Sequence, residues 1–191
     1  RIELCDQADL WIRQRPGTDV ALFNAMARVI ATEGLLDTRF VAERTEGFDA
    51  WRRSLEPYTL DRVARDTGVP AGLIRQLAHE YARADRAEIC WTLGITEHHN
   101  AADNVLSLIN LGLLTGHVGT YGSGLNPLRG QNNVQGGGDM GAIPNKLPGF
   151  QDIENDPEAC ARYEEVCGPI VRKYGWHLSQ MFEAMEEGHL T

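Results

Sequence analysis

Residues 87–141 read AEICWTLGITEHHNAADNVLSLINLGLLTGHVGTYGSGLNPLRGQNNVQGGGDMG, and their order decides the fold. Ala87 to Leu93 is the best strand in the chain: Ile89 and Trp91 suit a pleated surface and Gly94 closes it. A polar turn follows, Ile95-Thr96-Glu97-His98-His99-Asn100. Asn100 with Asp103 three positions on predicts a capping box. Val105, Leu106, Leu108, Ile109, Leu111, Leu113 and Leu114 then make a helix apolar nearly all round, expected to be central and buried, with Gly116 as its stop. Strand, turn and buried helix together predict an α/β fold, with a ligand beyond the carboxyl end of the strand.

The stretch from Gly119 to Gly141 has neither helical nor strand period. Long loops of this kind are uncommon and are usually functional or disordered. Disordered glycine tracts are repetitive and rich in serine or charge. This one instead packs Arg129, Gln131, Asn132, Asn133 and Gln135 into a non-repeating run. Glycine lets another group approach the backbone closely. Amide and guanidinium groups suit a large polar ligand carrying phosphates or a heterocycle.

Composition bounds the rest. A chain of 191 residues, 42% hydrophobic, can bury a real core. A net charge of -9 argues against nucleic acid or an anionic membrane as the main partner. The longest apolar run, Val105 to Leu114, is interrupted by Ser107, Asn110 and Gly112, so membrane insertion is not expected. Cys5, Cys90, Cys160 and Cys167 form no C-x-x-C pair, so no iron–sulfur or zinc site and no disulfide framework is expected. Scattered thiols make a reducing cytoplasm the default location. The chain opens on Arg1 rather than Met and is read as an internal piece of a longer protein.

Upstream, Ala8 to Arg13 (ADLWIR) reads as a short strand broken by Arg15-Pro16-Gly17. Thr18 or Asp19 can cap the helix that follows, which carries Val20, Phe23, Ala27 and Ile30 on one stripe and Leu22, Met26 and Val29 on another. Gly34 ends it. A string of short helices is expected over Asp37–Arg44, Phe48–Leu55 and Leu60–Asp66, with Gly68 stopping the last and Pro70 opening a further one through Ile74, Leu77, Ala78 and Tyr81. That last pair imitates a helix-turn-helix, but its second helix opens on Ala71, Gly72 and Leu73, which offer little to read bases. Glu97, His98 and His99 suggest a metal site less than they suggest one packed and one solvated histidine, because adjacent side chains in a turn diverge. Downstream, Asp156-Pro157-Glu158 starts a helix to about Val166, and Leu178 to Glu187 forms a last one that packs Met181, Phe182 and Met185. No chemistry is legible in residues 154–191.

NPLRGQNNVQGGGDMGAIPN, residues 126–145, resembles the signature of the catalytic subunit of molybdenum- or tungsten-dependent formate dehydrogenases. LGITEHHNAADNVLSLINLGLLTGHVGTYGSG and ADLWIRQRPGTDVALFNAMARVI are similar to the same family, so the resemblance covers most of residues 1–153. It implies part of the Rossmann-like cofactor-binding domains of a molybdopterin oxidoreductase. The expected division puts residues 1–86 in one α/β domain and 87–191 in the next.

The resemblance also implies roles. The metal, molybdenum or tungsten, would sit between two molybdopterin guanine dinucleotides. Electrons would leave through a 4Fe-4S cluster of the parent protein towards its electron-transfer subunits or domains. Arg129 matches the arginine that flanks formate; a planar two-donor fork suits a small carboxylate. Gly130 and Gln131 match residues close to the pterin, and Leu93, Gly94 and Glu97 match the turn under it. Gly17 and Asp19 match residues against the guanine-nucleotide end, and Arg1 matches the end of an Asp-Pro-Arg strand. Some relatives carry Gln at Glu97, where a carboxylate accepts but cannot donate. No Cys-His pair resembling the metal ligand and its neighbour occurs, nor any iron–sulfur cluster motif, so this chain holds one side of a cofactor cradle. The competing readings are another molybdopterin oxidoreductase and a non-catalytic helical binding module.

Overall fold

The computed structural model describes residues 2–190 and divides into two compact units, one ending at Gly130 and one beginning at Gln131. Arg1 lies outside the described residues.

The first unit is built on α1 (Asp19–Thr32). Leu22, Ala25, Met26, Ala27, Val29 and Ile30 are all buried, and the two alanines let neighbouring helices come close. Gly34 takes the left-handed conformation (φ 69°), and Leu35 N–H closes the end onto the Ile30 carbonyl at 3.0 Å. Short helices α2 (Thr38–Arg44), α3 (Phe48–Ser54), α4 (Leu60–Thr67) and α5 (Ala71–Arg83) follow. Asp37 caps α2 by accepting from Phe40 N–H at 2.8 Å. Val63, Ile74 and Ala78 of the α4–α5 pair have no exposed surface, and they join the core around α1. That apolar commitment explains the helix-turn-helix pattern without any groove to read.

The strand expected over Ala8–Arg13 does not form: no strand is assigned there among the described residues. A ladder needs a neighbour, and Arg15 N–H is instead tied to the Thr67 carbonyl at 2.9 Å.

β1 (Glu88–Trp91) leads through a single turn, α6 (Leu93–Thr96), into α7 (Ala101–Thr115), and then to β2 (Gly124–Pro127). β1 and β2 are parallel, with Glu88 opposite Gly124 and Trp91 opposite Pro127. This is a β-α-β unit whose crossover helix packs against α1. A Cβ on Gly112 would come within 3.2 Å of Leu125, so the missing side chain is what lets β2 lie on α7. His117 is buried; its Nε2 donates to the Ala84 carbonyl at 2.9 Å and its Nδ1 lies 2.9 Å from Thr115 Oγ1.

Two expectations for α7 need correction. The helix is not buried all round: Leu106 is 53% exposed, while Asn104, Ser107 and Thr115 are buried. Ser107 and Thr115 tolerate burial because their hydroxyls donate to carbonyls one turn back, at 2.6 and 3.0 Å. The capping box is absent too. Asn100 has φ -106° and ψ 30° and makes no side-chain cap bond; its amide goes to Asn104 instead, at 3.4 Å.

One clamp in this unit sets a pH dependence. Glu33, just past α1, accepts from Arg75 Nε at 2.9 Å and lies 2.6 Å from His79 Nε2, both on α5. The Arg75 guanidinium and then His79 hold its carboxyl below the ordinary carboxylate value. A depressed carboxylate adds stability above the unfolded-state pKa and loses it as pH falls through the folded-state one. The full-length protein should therefore melt progressively lower on acidification through the carboxylate range, and Glu33→Gln should show a shallower acid slope. Parallel slopes in thermal melts would rule the clamp out.

The second unit contains α8 (Val134–Asp139), a hairpin of β3 (Lys146–Leu147) and β4 (Gln151–Asp152), α9 (Pro157–Cys167) and α10 (Leu178–Glu186). α9 starts as expected, with Asp156 accepting from Ala159 N–H at 2.9 Å. Asp152 pins the later chain to the hairpin by accepting from the Tyr174 hydroxyl at 2.7 Å and Lys146 at 3.1 Å. The packing expected for α10 is not found: Met181, Phe182 and Met185 are exposed and only Ala184 is buried. Nothing described in this unit lies over that face of the helix.

Candidate functional site

The carboxyl edge of the parallel pair gathers four of the sequence-predicted residues. β1 ends at Trp91 and passes to Leu93 and Gly94; β2 ends at Pro127 and passes to Arg129 and Gly130. The ladder extends one step past the strands, because Leu128 N–H donates to the Trp91 carbonyl at 2.7 Å. A Cβ on Gly130 would lie 3.7 Å from Leu93, so the two exits are in contact. A Cβ on Gly94 would meet nothing within 4 Å. Arg129 is exposed, and no hydrogen bond or ion pair engages its guanidinium among the described residues. A free planar cation at a strand's carboxyl edge is where an α/β fold places anion recognition.

The turn after α6 is tightly built. Glu97 N–H donates to the Leu93 carbonyl at 2.8 Å, and His98 Nε2 to the Gly94 carbonyl at 3.0 Å. Glu97 and His99 are exposed. Asn104, 1% exposed, reaches back from α7 and donates to the Ile95 carbonyl at 2.9 Å. Asn100 Oδ1 is buried and accepts from nothing among the described residues. Sequence reading placed Asn100 at a cap and passed over Asn104; the legible signal was a pair of amides at i and i+4 across the start of α7.

Gly17 and Asp19 stand at the start of α1. Gly17 is left-handed (φ 79°) with nothing within 4 Å of a would-be Cβ. Thr18 spends its hydroxyl on the Arg15 carbonyl at 2.6 Å and does not cap the helix. Asp19 is buried and accepts from Gln14 Nε2 at 2.7 Å. The first N–H groups of α1 therefore have no side-chain partner. No hydrogen bond joins this corner to the β1–β2 edge among the described residues. Gln131 is exposed and opens the second unit.

The Gly119–Gly141 run is more structured than expected. Gly124–Pro127 is strand because β1 supplies its hydrogen-bond partners, and Val134–Asp139 is helix despite three glycines. Asn133 (φ 55°) turns the chain into that helix and folds its side chain over Gly136, while Phe150 lies against Gly138.

A family model described as molybdopterin oxidoreductase matches residues 2–181. Formate dehydrogenase H of Escherichia coli is 45% identical over 183 residues, which is 95% of this chain and 26% of that protein. A formate dehydrogenase subunit alpha of Methanocaldococcus jannaschii is 45% identical over 148 residues, 78% of this chain and 22% of that one. The chain thus spans about a quarter of the length of these relatives. Among solved structures, acetylene hydratase from Pelobacter acetylenicus superposes with a TM-score of 0.62 at 33% identity, over 64% of this chain and 17% of that one.

Proposed function

The chain belongs to the molybdopterin oxidoreductase family, and from that premise we propose that it is a section of a formate dehydrogenase catalytic subunit, supplying part of the pterin cradle and the arginine that holds formate. The observation that carries the reading is the unpaired, exposed Arg129 next to Gly130, at the edge where the two strands end and Gly130 meets Leu93.

The residues present fit a pterin group. Gly94 and Gly17 leave open space where a Cβ would stand, and Asn100 Oδ1 is a buried acceptor in need of an N–H donor. Leu93, Gly94, Glu97, Gly130 and Gln131 would hold the pterin, and Gly17 and Asp19 the nucleotide end of a guanine dinucleotide form; Arg1 belongs to the same set. When bound, the molybdenum or tungsten group would supply the two-electron acceptance that conversion of formate to carbon dioxide and a proton requires. Arg129 binds the formate carboxylate through two parallel N–H donors, offsets its charge and fixes which way its C–H points. As a carboxylate Glu97 accepts and does not donate, so it pairs with ligand N–H groups and not with ligand carbonyls.

The parent would pass electrons through a 4Fe-4S cluster outside this chain to electron-transfer subunits or domains, in the cytoplasm. No helix among the described residues is long and apolar enough to cross a membrane. This section alone should turn over no formate even with cofactor added, since it carries no counterpart of the metal-ligating Cys-His or selenocysteine-His pair. The division of the parent into domains at residues 86 and 87 belongs to the same proposal.

A second reading, another molybdopterin oxidoreductase, is favoured by the likeness to a protein named as a hydratase: one scaffold hosts several chemistries. Steady-state assay of the full-length protein with formate, for wild type and Arg129→Ala at matched cofactor content, separates them. No formate turnover by cofactor-loaded wild type would overturn the formate assignment.

A further inference from the structure

We infer that Asn100 is a further cofactor-binding residue, whose side-chain carbonyl accepts a hydrogen bond from an N–H on the amino-bearing edge of the pterin nucleotide. The inference rests on the cofactor reading above and adds to it a residue chosen by hydrogen-bond polarity.

The polarity runs outward from a backbone carbonyl that cannot change its nature. Ile95 C=O is an acceptor, so the Asn104 atom 2.9 Å away must be its NH2 group. That leaves Asn104 Oδ1 facing Asn100 at 3.4 Å, and an acceptor there requires a donor opposite it, the Asn100 NH2 group. Asn100 Oδ1 is therefore the end of the relay. It is buried, and no donor among the described residues reaches it. Flipping Asn100 would set two carbonyl oxygens against each other and bury an unpaired NH2 instead. Flipping Asn104 as well would put a carbonyl against the Ile95 carbonyl. The chain has one self-consistent arrangement, and that arrangement leaves a single unmet acceptor.

Buried polar atoms in folded proteins are almost always paired, and an unmet one is destabilising. Asn104 is 1% exposed and held to the Ile95 turn, so Asn100 has a fixed anchor on its inner side. The position is specific as well: Asn100 precedes α7 and closes the turn that starts at Leu93 and Gly94, the open glycine edge. A ligand that completes this site must donate there. The pyrimidine edge of a pterin or guanine, with a ring N–H next to an exocyclic NH2, is a donor of that kind. A phosphate or a carbonyl edge is not.

The test uses the full-length protein loaded with its cofactor. Asn100→Ala removes the acceptor; Asn100→Asp keeps an oxygen acceptor and loses the NH2. Two quantities are measured: the rate at which pterin is lost on dilution into cofactor-free buffer, and the melting temperatures of loaded and cofactor-stripped protein. Loss from Asn100→Ala should be faster by on the order of 10-fold, the worth of one buried hydrogen bond. The gap between loaded and stripped melting temperatures should shrink in step. Asn100→Asp should fall between wild type and alanine, because it keeps the acceptor but sets a carboxylate oxygen against Asn104 Oδ1. If a water or another part of the parent satisfies Oδ1, Asn100→Ala lowers both melting temperatures equally and leaves the loss rate unchanged, which overturns the inference. If Asp and Ala release pterin equally fast, the NH2 bond to Asn104 is what matters, and the acceptor role fails. Should neither variant fold, Asn104→Ala, which frees the relay to flip, must speed pterin loss; unchanged retention overturns the inference. Wild-type protein that retains no pterin would sink the cofactor reading itself, a result distinct from all of these.

Discussion

Arg129→Ala in the full-length protein is expected to lower formate turnover by on the order of 100-fold or more while pterin and metal content stay near wild type. The direction follows from what surrounds the side chain. Arg129 is exposed and makes no ion pair or hydrogen bond among the described residues, so the fold loses little when it is cut back. Its neighbours do the structural work: Leu128 N–H continues the ladder onto Trp91, and Gly130 rests against Leu93. What is lost is an exposed, unengaged guanidinium two residues past the end of β2. Formate is small and has one carboxylate, so a misplaced C–H has no second handle to correct it. Arg129→Lys separates charge from geometry: a lysine still attracts the anion but lacks the planar fork. It should therefore lower kcat by more than it raises KM, whereas alanine should change both. Near-normal turnover by the alanine variant at full loading would refute the substrate role. Loss of the cofactor itself would make Arg129 part of the cradle.

The elements that sequence showed plainly are those whose signals are local. α1 has a two-stripe apolar pattern and a glycine stop, α4 and α5 are separated by Gly68 and Pro70, and α9 opens on Asp156-Pro157. What it hid depends on distant partners. GLNP carries no strand pattern, and it is a strand only because β1 runs beside it and Pro127, at the end, needs to donate nothing. α8 has poor helix formers, and holds because Asn133 and Phe150 cover its glycines. The apolar residues of α10 read as core because periodicity reports which residues share a face and not whether anything covers it. The candidate site divides in the same way. Arg129, Gly130, Leu93 and Gly94 were found by motif, and their convergence on one edge follows from a parallel pairing that no local pattern announces. Asn100 stands at the expected N-cap position but makes no side-chain cap bond, and the burial of its Oδ1 is a tertiary fact that no local pattern shows.

The glycines of the motif were read together as room for a ligand, and the structure sorts them into different kinds. Gly137 has open space where a Cβ would go. Gly141 does not: it is left-handed (φ 73°), and a Cβ there would lie 2.7 Å from the backbone carbon of Leu147 and the nitrogen of Pro148. Backbone at that distance cannot swing aside as a side-chain tip can. Gly141→Ala should therefore destabilise the second unit by about 2–4 kcal/mol, combining the left-handed backbone penalty with overpacking. Gly137→Ala, inside α8 and unobstructed, should be neutral or stabilising by roughly 0.5–1 kcal/mol, because alanine is the better helix former. Hydrogen exchange in the full-length protein reads the difference at one amide, Gly149 N–H, which donates to the Asp139 carbonyl at 2.6 Å and lies across the turn that Gly141 closes. Its protection should fall by on the order of 100-fold in Gly141→Ala and hold or rise in Gly137→Ala. Equal protection in the two variants would mean that the close approach at Gly141 is not what shapes this part of the motif. A fall confined to Gly141→Ala would mean that the glycine is there for the chain's own path, and that ligand contact in this run belongs to the open positions.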